Sequence, residues 1–262
     1  MWGIALLAHI PVQSGLFRIF ALVAAFAPAV ACVVVRKWVT REGFADAGLA
    51  ANLRRWPYYV AALLIPLAAA FVTAGVAALF SVAKPDLSVG IHTPGNPLPA
   101  LVFRLTVSAI VLAPFLWGEE FGWRGYLQLR LFPNSPLLAA IVTGLIWGVW
   151  HYPLLLAGTE LPQHVFLILS LFPLGTIFYS ILFGWLWLKS GSVWATSLSH
   201  SAMNNLRSPL IAALFSAVPD KLGVTLVGLA VFGVIAAAIV LCGGLKSATQ
   251  APEAPQPGLS SA

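Results

Sequence analysis

The chain has 262 residues, 60% of them hydrophobic and only 8% charged, with a formal net charge of +6 and a mean hydropathy of +0.93. That apolar content exceeds the roughly 45–50% of ordinary soluble domains, which excludes a soluble globular enzyme and points to an all-α, polytopic membrane protein, because helices satisfy their own backbone in lipid. The basic residues sit between apolar runs and not on a soluble face, which argues against a nucleic-acid partner and makes the lipid bilayer the first partner.

A spanning helix needs roughly 20 mostly apolar residues. On that basis the sequence predicts a membrane helical bundle of about seven transmembrane helices: Ile19 to Val35, Tyr58 to Val82, Ala100 to Leu116 continuing beyond, Leu137 to Leu156, Val165 to Leu188, Val193 to Ala217 and Val224 to Leu241. The opening MWGIALLAHIPV is apolar but short, lacks a basic leader and stops at Pro11, so it reads as an interfacial segment and not a cleaved signal. Residues 1–244 form one bundle domain, and 245–262, rich in Pro, Ala and Ser, read as a disordered tail.

Arg36, Lys37, Arg41, Arg54 and Arg55 all lie between the first two predicted spans, and the positive-inside rule puts that loop in the cytoplasm. Counting onward, Arg130, Lys189 and Lys246 fall on the same side, whereas Lys84, Glu160, Asp220 and Lys221 fall opposite. The expected protein is integral to a bacterial plasma membrane with its C-terminus cytoplasmic. Cys32 and Cys242 both lie in apolar runs and support neither a disulfide framework nor a CxxC metal site.

Against this background the stretch WGEEFGWRGYLQ, Trp117 to Gln128, places Glu119, Glu120 and Arg124 at the end of an apolar helix. Ionisable groups within membrane segments are costly and usually face the bundle interior, where they mark function. Glu120 and Arg124 are four apart on one face, in the order that suits an ion pair; a purely structural salt bridge is the alternative. Glu119 points about 100° away and has no partner nearby in sequence. Downstream, GLIWGVWHYPLL carries Trp147 and His151, and SLSHSAMNNLRSPL carries His200 and Asn204, again four apart. Singly, these polar side chains are accounted for as contacts that join membrane helices.

Depth links them. The turn Pro133 to Pro136 separates two helices, and Glu119 lies about as far before it as His151 lies after it, roughly 22–24 Å at 1.5 Å per residue. His200 lies only roughly 12–14 Å beyond the turn at Lys189 to Ser192, so a tilted or broken sixth helix is needed to bring it level.

These residues carry a resemblance. Glu119, Glu120 and Arg124 match the EExxxR motif, Trp147 to His151 the FxxxH motif, and His200 to Asn204 the HxxxN motif of the CPBP intramembrane proteases, also called the CAAX protease or Abi family. The match covers roughly Ala100 to Arg207, and Trp147 stands where the family usually has Phe. The resemblance implies an all-helical endopeptidase of the CAAX prenyl protease kind, with a membrane-associated protein or peptide as substrate. It makes Glu119 the general base for a water that His151 helps to hold, and His200 and Asn204 the donors to the oxyanion. Glu120, Arg124 and Trp147 support them. The resemblance favours a glutamate site without a metal and no cofactor is assigned; zinc is the rival reading, because two histidines and a glutamate form the ligand set of several catalytic zinc sites, although HExxH is absent and His9, His92 and His164 fall in terminal or loop regions. A non-catalytic protein for bacteriocin immunity or scaffolding on the same fold is the alternative function, and a transporter ranks last for want of paired broken helices in two halves.

Overall fold

The computed structural model describes residues 15–88, 97–158 and 165–245. The predicted interfacial segment, the tail from Lys246 onward, and His9, His92, Glu160 and His164 lie outside the described residues. Among those described, all regular structure is helical.

Helix α1 (Gly15–Val34) runs into a π turn, Val35–Val39; a 3-10 turn, Leu53–Arg55, leads into α2 (Trp56–Leu79). Then α3 (Leu98–Gly122) continues through a second π turn, Trp123–Leu127, and the short α4 (Gln128–Arg130). After the turn come α5 (Pro136–Trp150), α6 (Tyr152–Gly158), α7 (Val165–Ser190) and α8 (Val193–Ala202); a third π turn, Met203–Arg207, joins α8 to α9 (Ser208–Leu214), and α10 (Leu222–Leu241) closes the chain. Proline occupies the first turn of α2, α3, α5 and α9, where its missing N–H is no loss. Ser192 caps α8, its hydroxyl accepting from the Trp194 amide at 3.2 Å.

Among the described residues, five helical segments are long and apolar enough to cross a bilayer: Leu53–Leu79, Leu98–Arg130, Pro136–Leu156, Val165–Ser190 and Leu222–Leu241. The expected count of seven is therefore not reached among the described residues. The predicted first span is the helix α1, which is not among the five. The predicted sixth breaks into α8, a π turn and α9, and is too polar to qualify, with Thr196, Ser197, Ser199, His200 and Ser201 all buried. This polar helix survives because protein surrounds it: α8 packs against α3, α2 and α7. Two of its hydroxyls, on Thr196 and Ser197, bond back to the Val193 carbonyl at 2.8 and 2.6 Å, so they cost little in an apolar setting.

Glycines let the flanking helices approach the backbone of α3 and α5. A Cβ at Gly118 would lie 2.7 Å from the Ala25 carbonyl oxygen of α1, and one at Gly122 would lie 2.6 Å from the Pro28 carbonyl carbon. On the other side, Gly144 and Gly148 of α5 meet Ile177 and Pro173 of α7 as closely. Small residues at helix contacts are the usual means of tight packing in membranes.

The loop after α1, the turn after α4 and the turn between α7 and α8 gather at one end of the bundle. Arg36, fully buried, pairs with Asp46 at 2.8 Å and donates to the Gly125 carbonyl at 2.9 Å and to the Gly43 carbonyl. Arg130 pairs with Glu42 at 2.6 Å and Asp46 at 2.9 Å. Asn52 donates to the Ser190 carbonyl, and the Val193 amide to that of Gly48. The basic residues counted above thus also tie this loop to the motif helix, a role that reading them for topology alone had missed.

Two expected outcomes follow from this packing. Gly122→Leu should abolish folded yield in detergent, whereas Gly75→Ala, where nothing lies within 4 Å of an added Cβ, should raise the melting temperature slightly through helix propensity; equal behaviour of the two would refute the backbone contact. The second concerns pH. The hydrogen bond from Arg130 holds the Glu42 carboxyl below its ordinary value; burial works to raise Asp46, but Arg36 and Arg130 outweigh it and hold that group low as well. Their folded values lie below the unfolded ones, so the stability they contribute is complete above about pH 4 and is lost as pH falls through the folded values. Proteolytic cleavage between Arg36 and Arg55 should therefore rise only below about pH 4, and Arg130→Gln should move that onset upward.

Candidate active site

The end of α3 and the π turn after it present both carboxylates and the arginine inside the protein: Glu120 and Arg124 are 0% exposed and Glu119 is 6% exposed. The predicted i, i+4 pair exists, with Arg124 Nη1 3.0 Å from Glu120 Oε1. The same oxygen also receives His200 Nδ1 at 2.9 Å, so one carboxylate joins α3 to α8. His200 is thus level with Glu120 although α8 runs unbroken from Val193 to Ala202, and the π turn begins three residues beyond the histidine. Such turns concentrate at functional sites.

Glu119 faces the other way, as its 100° offset requires, and accepts from Trp147 Nε1 of α5 at 2.8 Å. Tryptophan at this position therefore supplies more than an aromatic wall. Its indole N–H was the one signal in the sequence that pointed to this contact, because a buried Trp usually finds a hydrogen-bond acceptor. The Trp147 ring stands edge-on to His151 at 5.5 Å and to His200 at 5.0 Å. The Arg124 guanidinium lies 4.9 Å from the centroids of both Trp147 and Phe183, where a planar, weakly hydrated cation is well accommodated. Phe183 of α7, 5.7 Å from His200, completes this wall and carried no sign of the role in the sequence.

His151 sits just past α5, its Nδ1 2.9 Å from the Trp147 carbonyl oxygen. A carbonyl only accepts, so Nδ1 carries the proton and Nε2 keeps a lone pair. The ring is walled by Trp150 and Phe172 at 4.8 and 5.4 Å, and both Glu119 and His200 lie within electrostatic reach. His200 donates from Nδ1 to an ionised carboxylate, which leaves its Nε2 directed elsewhere. Asn204 behaves differently. It lies in the π turn, exposed, whereas His200 is 3% exposed, and it makes no hydrogen bond among the described residues. The structure thus brings Glu119, Glu120, Arg124, Trp147, His151 and His200 into one cluster and leaves Asn204 at its margin.

The arrangement does not suit zinc. Among the described residues no three His, Cys, Asp or Glu side chains converge as ligands. The carboxylate nearest His200 is already shared with Arg124, a cation that would oppose a second one beside it.

Residues 94–206 match the family model described as Type II CAAX prenyl endopeptidase Rce1-like. Over 104 residues the chain is 29% identical to CAAX prenyl protease 2 of Methanococcus maripaludis, an alignment that covers 36% of each chain. The chain thus spans little more than a third of the length of the curated relative it matches. Every residue of the cluster falls inside the matched family region, so the similarity to CAAX prenyl endopeptidases rests on the helices that carry it.

Proposed function

We propose that this integral membrane protein is an intramembrane endopeptidase that hydrolyses a peptide bond of a membrane-associated protein or peptide with a glutamate-activated water. The observation that carries this reading is the difference between two adjacent carboxylates. Glu120 is occupied by Arg124 and His200; among the described residues Glu119 is engaged by a single indole N–H and keeps its second oxygen unbonded. In this reading the protein is one bundle over residues 1–244 with its protease-like core at about 100–207, and the loop between Arg36 and Arg55 faces the cytoplasm.

The chemistry runs as follows. A water held by the lone pair on His151 Nε2 gives its proton to Glu119 as its oxygen attacks the scissile carbonyl carbon. The carbonyl π electrons move to oxygen, and the resulting oxyanion is met by the Asn204 amide and by His200 Nε2–H. For His200 to donate from both nitrogens it must be an imidazolium, whose charge Glu120 balances. The intermediate then collapses, the C–N bond breaks, and Glu119 returns its proton to the departing amine. Arg124 and Trp147 hold the two carboxylates in their separate orientations.

Glu119→Gln should cut hydrolysis by roughly 10²–10⁴-fold, the usual contribution of general acid–base catalysis, with the melting temperature nearly unchanged. Glu120→Gln should instead lower yield and stability, since breaking a buried pair costs roughly 3–5 kcal/mol, and Glu120→Gln with Arg124→Gln should recover part of it. Near-normal turnover by Glu119→Gln would sink the assignment, and a fully stable but inactive Glu120→Gln would transfer the base to Glu120. Activity should also survive prolonged exposure to a strong zinc chelator, with well under one zinc per purified chain. Zinc and activity lost together, and both restored by added metal, would make the glutamate and histidines ligands. A non-catalytic scaffold predicts no change in membrane-protein termini between cells carrying the wild type and cells carrying Glu119→Gln.

A further inference from the structure

Helix α7 borders two unlike regions. On one side lies a cavity of about 460 Å³ between α7, α9 and α10, with mostly apolar walls such as Leu171, Ile211 and Leu229, which offer a buried water few partners. On the other side α7 meets α5 and the segment from the second π turn to α4, and there several buried polar atoms lack a partner. Most buried hydroxyls of the bundle are satisfied: those of Thr73, Thr176, Thr196 and Ser197 bond back to carbonyls of their own helices. The exceptions are Ser199, next to His200, and two at the contact of α5 with α7. Thr143 and Ser180, both fully buried, have no hydrogen-bond partner among the described residues. Nor have Oε1 of Gln128 and the Nε and Nη2 of Arg124. A buried hydroxyl left unbonded is costly in an apolar setting, and native proteins meet such groups with ordered water.

These atoms line one seam. A Cβ at Gly144 would lie 2.8 Å from the Ser180 Cβ, and one at Gly184 would lie 2.5 Å from Gln128 Nε2 and 3.5 Å from the Ala140 Cβ. Ser180 therefore stands beside Gly144, and the Gln128 amide reaches α7 at the level of Ala140. Ala140, Thr143 and Trp147 share one face of the unbroken α5, roughly 4.5 and 6 Å apart along it. At the inner end the Arg124 guanidinium covers Trp147 and Phe183. The polar atoms thus form steps from Gln128, 9% exposed, through Thr143 and Ser180 to Arg124 in the cluster. One water bridges steps of this size, since two hydrogen bonds of about 2.8 Å span up to about 5.6 Å. Small residues at Ala140, Thr143, Ser180 and Gly184 put little side-chain volume where the three elements meet. Arg124 only donates and Gln128 Oε1 only accepts, so a file of water between them has one consistent direction of hydrogen bonding. We propose, building on the endopeptidase reading above, that Gln128, Thr143 and Ser180 hold a file of buried water molecules that runs from the α4 end of the bundle to Arg124 and replaces the water consumed at Glu119. The three are positioning residues, which bind water and do not touch substrate.

The test has a structural arm and a kinetic arm, both on the full chain in nanodiscs. A structure at a resolution that shows ordered water should place water within hydrogen-bond distance of Gln128 Oε1, Thr143 Oγ1 and Ser180 Oγ. Thr143→Val keeps the shape and removes the hydroxyl; it should lower kcat for a prenylated CAAX peptide by roughly 10-fold, the effect of one lost hydrogen bond, and leave KM unchanged. Thr143→Ser should restore most of that loss. The melting temperature separates the cases further. Thr143→Val should lower it if the hydroxyl holds water and raise it if the hydroxyl is unbonded, and the effects of Thr143→Val and Ser180→Ala should be non-additive because the two share water. A dry seam, hydroxyls turned onto the carbonyls of their own helices, or a higher melting temperature in Thr143→Val would overturn the water site. Water in the seam with an unchanged kcat in Thr143→Val would overturn the supply route. Water in the seam of a wild type that cleaves no peptide would retain the water site and refute the endopeptidase reading.

Discussion

The architecture depends on one buried carboxylate. Glu120 is fully enclosed and accepts from Arg124 and His200 on the same oxygen. A charge in that position is tolerable only when paired, because removal from water costs several kcal/mol per ion. Three elements therefore become interdependent: the end of α3, the π turn that carries Arg124, and α8. The rest of the bundle follows from protecting that arrangement. Polar α8 is wrapped on its sides by apolar helices, and the guanidinium is covered by the faces of Trp147 and Phe183.

The second carboxylate gains its separate environment from the first. With Glu120 committed to the α3–α8 contact, the 100° rotation between successive residues turns Glu119 toward α5, where Trp147 is its only protein hydrogen-bond partner among the described residues. Two groups of the same chemistry, adjacent in sequence, thus occupy sites of opposite kind. One is paired with Arg124 and bonded to His200, and the other is left with hydrogen-bonding capacity at the margin of the cluster beside His151.

Much of this could be read from the sequence, and the failures have physical causes. The all-helical, membrane-embedded class followed from composition, and the Glu120–Arg124 pair from i, i+4 spacing, because both depend on short-range regularities. The contact of His200 with Glu120 was not legible as a pairing. It joins helices 80 residues apart, and a count of 1.5 Å per residue from the nearest turn does not say how far two neighbouring helices are shifted or tilted against each other. Asn204 illustrates the converse. Its i+4 spacing from His200 predicts a shared face, yet the π turn leaves one buried and the other exposed. The count of seven, which weighed length above polarity at α8 and α9, is not confirmed among the described residues, where these two helices are not among the five apolar spans. Arg36 was misjudged in part: its position in a basic cluster reveals sidedness, but nothing local announces that it will be enclosed and bonded to Gly125, 89 residues on.

The glycine contacts of α7 make the bundle mechanically uneven. On its α5 side, α7 meets Gly144 and Gly148 through the Cα atoms of Ile177 and Pro173 and the short side chains of Ser180 and Thr176, a junction with little room to yield. On its α10 side the contact runs through large rings, Tyr179 edge-on to Phe232 at 4.8 Å, with the cavity beneath. Rings can change rotamer where backbone cannot retreat. A change of spacing between α7 and α10 therefore meets less resistance than one between α7 and α5, the half of the molecule that aligns Trp147 with Glu119.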